Sequence, residues 1–373
     1  MLGLKLSKHH VFHSILYMVL AVLVTLSIIG CSSDNSEQDK NLTIRGRVID
    51  DAIYGAKVVK ATRLMDSLND DDEINEPVYT DSTGHYDTTM YSQPEAGDLY
   101  PQPNARDIYP KIEESSAIVF IATGGTDIGT GEPFTGMFTA PIDSTVISPL
   151  TTIVSSVMKE GNKTVTEAIE IINSSLNLDK SINLTTFDPI AVLEHSTEGS
   201  DKKVAQEVLI QQTEVQVVLH LISVAVASAS DTVQELNVTT NTADKIAELI
   251  LNSTPYTTEA IVDIAKETFK NLPKEKRDEA IAKVADASKV ILLKIVEMIK
   301  MVDEKIKSVD ADTAIGLDVI AVANRVLKVA KTVVGVAVKK VVTKEDLNAL
   351  NDIDIKDEVL NVQLPYRPVV PKP

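Results

Sequence analysis

The sequence predicts an α+β multidomain chain, with a small β-sandwich over 42–147 followed by an all-α helical bundle over 148–350. Three observations carry this expectation. From Leu42 the apolar residues alternate with polar ones and are punctuated by turn residues, the period of a strand with one buried face. From Ser148 they recur instead at spacings of three and four, over segments too long for strands. The roughly 340 residues that follow the first thirty exceed the usual extent of one hydrophobic core, so two domains are expected.

The first element is not part of either domain. Residues 1–30 begin with Lys5 and Lys8, continue through an apolar run from Ile15 to Ile29 and end on Gly30. A cationic start, a short apolar core and a small final residue form a secretory signal peptide, and the run is short for a bilayer span. Cys31, the only cysteine in the chain, follows directly. The stretch Ile28-Ile29-Gly30-Cys31 resembles the bacterial lipobox. That resemblance implies a Cys31 thiol consumed as a thioether to lipid, a membrane-anchored envelope protein and, with Ser32 next, sorting to the outer membrane. Several acyl chains would hold such a protein durably, since each buried methylene adds about 0.8 kcal/mol. Residues 31–41 contain no apolar residue after the cysteine and read as a flexible tether.

In the β-region, LTIRGRVID and GAKVVKATRL read as strands, TDSTGHYDTTM as a hairpin and SAIVFIAT as a buried strand. The order of GRV, GAKV and TDSTGHY resembles the transthyretin-like, carboxypeptidase-regulatory-like modules of bacterial surface proteins. The resemblance implies a spacer or binding platform and no catalysis. Between the second strand and the hairpin lies DSLNDDDEINEP. Two readings of it stand: a solvated acidic insert, or a calcium site on Asp66, Asn69, Asp70, Asp72 and Glu76, since Ca²⁺ takes six to eight oxygen ligands. The sharp-turn glycine usual in such loops is absent here.

Gly124-Gly125 is followed by no lysine–serine or lysine–threonine pair and so serves turns rather than a phosphate loop. GGTDIGTGEPFTG followed by SPLTTIV resembles a segment of secreted and lipid-anchored bacterial proteins that joins a β-module to a helical one. Ser148 suits an N-cap and Pro149 the first helical turn, with Leu150, Ile153, Val154 and Val157 on one face. Further helices are expected from Thr164, within 201–230, 241–251, 257–271 and 274–309, and over 312–342. Lysines interrupt the last of these, which makes it a bundle helix and not a membrane span. Residues 351–373 end in LPYRPVVPKP, an extended proline-rich tail.

Charge and composition narrow the function. The formal charge is −18, and −20 without the first thirty residues, which hold two lysines and no acid. So acidic a chain repels nucleic acid, and no nucleic-acid partner is expected. His85, His195 and His220 stand at no metal-ligand spacing and read as a turn, a cap and a core residue. No nucleophile elbow occurs. The expectation is a non-enzymatic binding or structural protein, held to the membrane by lipid and meeting an envelope or surface protein partner. The rival is a hydrolase, acting for example on glycans, whose carboxylate pair lies among the 54 acidic residues.

Overall fold

The computed structural model describes residues 42–49, 52–62, 77–90, 118–233, 235–255, 257–308 and 316–329. Among these the chain is α+β. Nine short strands precede Ser148 and eight helices follow it.

The strands are β1 (Leu42–Val48), β2 (Ile53–Tyr54), β3 (Lys57–Thr62), β4 (Val78–Tyr79), β5 (His85–Met90), β6 (Ile118–Thr123), β7 (Thr126–Asp127), β8 (Met137–Pro141) and β9 (Val146–Ile147). They form three sheets, ordered β5-β1-β9, β2-β7 and β4-β3-β6-β8. β1 runs antiparallel to β5, with Ile44 opposite Thr88, and parallel to β9, with Val48 opposite Ile147. β6 is central in the four-stranded sheet, pairing Val59 with Ile121 on one side and Ile121 with Thr139 on the other.

Side-chain alternation divides the four-stranded sheet into two buried faces. Val58, Phe120, Ala122 and Phe138 join Ile44, Val48 and Tyr86 in one core. Val59, Ala61, Val119, Ile121 and Met137 form a second, against which Leu236 of the helical region packs. A strand buried on both sides needs apolar residues at every position, which is why SAIVFIAT lacks alternation. The expected hairpin at Thr80–Met90 is a corner instead, because β4 pairs with β3 in one sheet and β5 with β1 in another. Thr80 pins that corner: its hydroxyl donates to Ile53 O and accepts from Ala56 N at 2.8 Å. Asp81 then accepts from the backbone N–H groups of Thr83 and His85, turning the chain toward β5.

The helices are α1 (Pro149–Gly161), α2 (Val165–Ser175), α3 (Pro189–His195), α4 (Gly199–Ser228), α5 (Glu235–Leu251), α6 (Thr258–Thr268), α7 (Lys274–Lys307) and α8 (Gly316–Val329). Ser148 caps α1 in a reciprocal box with Thr151, and Thr164 caps α2 in one with Glu167. α4 is buried around most of its circumference, from Ala205 and Val208 to Val217, Leu221 and Val226. Its length and apolarity would suffice for a bilayer span, but 78% of its most apolar window is covered by the rest of the protein. It is the central helix of the helical region, with α7, α5 and α3 packed against it.

The two regions meet without a loose linker. Thr151 and Thr152 of α1 bond to Thr139 of β8, Thr151 donating to its carbonyl and Thr152 accepting from its N–H. Thr185 O accepts from both Thr145 N and Val146 N. Arg47 of β1 reaches Asp188, the N-cap of α3, at 3.1 Å. Ile49 and Val146 belong to the same apolar cluster as Ile190, Leu221 and Ile291.

Candidate functional site

The loop from β7 to β8 passes along this seam and forms one wall of a cleft. Gly124 and Gly125, between β6 and β7, lead into it with positive φ angles of 65° and 90°. At Gly125 a Cβ would also lie 2.6 Å from Tyr54 O, so no side chain fits there. Asp127 shapes the next turn. Its side chain is fully buried and its Oδ1 accepts from Gly129 N and Thr130 N. Phe134 N donates to Gly125 O, folding the rest of the loop back toward the helices.

The cleft has a volume of about 340 Å³ and lies between Glu132–Phe138 and the facing sides of α4 and α5. That is near the lower end for small-molecule sites. Its apolar lining includes Phe134, Phe138, Leu219 and Val224. The two phenyl rings stand 4.6 Å apart, tilted by 41°.

Its polar lining centres on Glu235, in the first turn of α5. One carboxylate oxygen of Glu235 lies 3.6 Å from His220 Nδ1, and the other accepts from Thr135 Oγ1 at 2.9 Å. Thr239 Oγ1 donates to Glu235 O, also at 2.9 Å. Gln216 and His220 are four residues apart on α4 and therefore share a face. Gln216 Oε1 and His220 Nε2 are both buried without a hydrogen-bond partner. Burial of an unpaired polar atom costs on the order of 1–3 kcal/mol, and such atoms call for a ligand or water.

His220 therefore corrects the expectation of a satisfied core histidine. Its helix is apolar, but its ring is tied to a carboxylate at the edge of a cleft. The signal in the sequence was the polar pair Gln216 and His220 at helical spacing within an otherwise apolar stretch, with Glu235 soon after. The other two described histidines stay local. His85 Nδ1 shares a 2.8 Å hydrogen bond with Thr83, and His195 Nδ1 lies 3.0 Å from Ala191 O within its own helix.

Cys31 and the loop residues Asp66, Asn69, Asp70, Asp72 and Glu76 lie outside the described residues, as do the tether and the proline-rich tail. Among the described residues no group of three or more histidine, cysteine or acidic side chains is placed to hold a metal ion. Comparison with protein-family models, curated proteins and solved structures yields no match to this chain.

Proposed function

We propose that this chain is a lipid-anchored protein of a bacterial envelope, attached through Cys31, and that it binds a ligand or partner rather than transforming one. The observation that carries the binding reading is the cleft, where buried polar atoms of Gln216 and His220 lack partners beside two aromatic rings. The residues that resemble catalytic groups face one another: Glu235 lies 3.6 Å from His220 and accepts from Thr135. The β-region, in the manner of the spacer modules it resembles, would set the cleft at a fixed attitude above the tether. Its hydrogen bonds to α1 and α3 favour a rigid platform.

Mass spectrometry of the mature N-terminus tests the anchor. A diacylated or triacylated Cys31 is expected, with Cys31→Ala leaving the protein unlipidated and displaced from the membrane fraction. An intact Met1 in the mature protein would overturn the proposal. The hydrolase reading is kept alive by one observation, that Glu132 and Glu235 line the same cleft. A glycan cleaved by the natural protein and spared by Glu132→Gln would establish that reading in place of the first.

A further inference from the structure

We infer that the cleft is a site for a small organic cation, an ammonium group carried on an apolar body. The inference rests on the binding reading and names the chemistry of the ligand.

Charge is the first reason. Among the described residues, the ionisable side chains lining the cleft are Glu132, Glu235 and His220, with no lysine or arginine beside them. An anion would meet two carboxylates and no fixed positive charge. Low-dielectric walls strengthen that discrimination, because charges interact more strongly there than in water.

Hydrogen bonding is the second. His220 turns Nδ1 toward the Glu235 carboxylate, and in the neutral ring that contact places the proton on Nδ1 and leaves a lone pair on Nε2. Gln216, only 4% exposed, brings a second acceptor without a partner in Oε1. The two lining hydroxyls, Thr135 and Thr239, already donate to Glu235. A primary ammonium brings three donors to these two acceptors, His220 Nε2 and Gln216 Oε1.

The apolar lining is the third. Phe134 and Phe138 line the cleft, aromatic rings attract cations through their quadrupole, and Leu219 and Val224 suit a hydrocarbon body. A cleft of about 340 Å³ limits that body to a small one.

Isothermal titration calorimetry of the mature protein extracted from membranes in detergent, with empty micelles as the blank, tests this with three probes of one shape. They are 2-phenylethylammonium, 2-phenylethanol and phenylacetate. The ammonium should bind saturably at one site, about tenfold or more tighter than either counterpart. Glu235→Gln and Glu132→Gln should each weaken it, by about tenfold where a charge-assisted bond is lost. Glu279→Gln, far along the exposed side of α7, should leave it unchanged. Melting curves of each variant establish that it is folded, and Glu132→Gln leaves the His220–Glu235 pair itself unaltered. Equal or tighter binding of the alcohol or the carboxylate would overturn the inference while sparing the binding reading. No saturable heat from any probe, or binding indifferent to both substitutions, would overturn it as well. The anchored-protein reading stands or falls separately, on the state of Cys31.

Discussion

Replacing Arg47 with methionine would cut the charged link between the strands and the helices. The guanidinium donates from Nε to Thr83 O at 2.9 Å and from Nη1 to Asp188 Oδ2 at 3.1 Å. Its side chain is 10% exposed and that of Asp188 17%. Asp188 is also the N-cap of α3, its Oδ1 accepting from Ala191 N at 2.9 Å. Removing one member of a fully buried ion pair costs about 3–5 kcal/mol, chiefly because the other charge is stranded. Asp188 keeps its amide bond and some water, which lowers this to about 2–3 kcal/mol. Methionine retains most of the apolar stem, so lost packing adds little. Asp188→Asn removes the charge but keeps a capping oxygen. The double substitution strands no carboxylate, and it should cost less than the two single ones together by about 1–2 kcal/mol. Urea denaturation of the full chain, followed by circular dichroism, measures all three. A loss below about 0.5 kcal/mol for Arg47→Met, or strict additivity in the cycle, would refute the reasoning.

Two further outcomes follow from buried polar groups. Tyr86 lies in the β-core with its hydroxyl unpaired, and burial pushes its phenol well above the ordinary range. Tyr86→Phe should therefore be neutral or stabilising by up to about 1 kcal/mol in urea denaturation, and a loss above that size would mean the hydroxyl has a partner. Burial, with Asp303 nearby, raises Glu214 to about 7 from 4.5. The folded state thus holds this proton more tightly than the unfolded one. The stability it lends is full below about pH 4.5 and is lost as pH rises through about 7. Partial exposure and the nearby Lys307 discount the effect to about 1–2 kcal/mol. Glu214→Gln should flatten that part of the stability–pH curve, and an unchanged curve would count against it.

The α+β class and the order of the helices were legible because their signals are local. Ser148-Pro149 with Leu150, Ile153, Val154 and Val157 announces a capped amphipathic start, and all six residues are buried in α1 or at its cap. Thr164 and Glu167 do the same for α2. Ends were less legible. α5 begins at Glu235, six residues before the expected start, because Val238 and Thr239 are buried against other elements and the helix continues through them. The hairpin at Thr80 was misread for a related reason. Turn chemistry at Asp81 and Gly84 says that the chain reverses, but which sheet receives each arm depends on Thr80 reaching Ile53 and Ala56, some 25 residues earlier.

The cleft is the extreme case of that distance. Its parts come from a loop at 132–138, one face of α4 and the first turn of α5, up to about a hundred residues apart in sequence. No motif spans them, and His220 in an apolar helix looks like core until the loop is laid across it. What brings the loop there is the buried Asp127 turn and the glycine pair before it, features that alone suggest only a bend. What keeps it there is the seam itself, the bonds of Thr139 to α1 and of Arg47 to α3. The stability of the β–α interface and the geometry of the cleft are therefore one property of the fold. On this reasoning a substitution such as Arg47→Met should act on ligand affinity through the positions of Phe134 and Thr135 relative to Glu235, although Arg47 itself does not line the cleft.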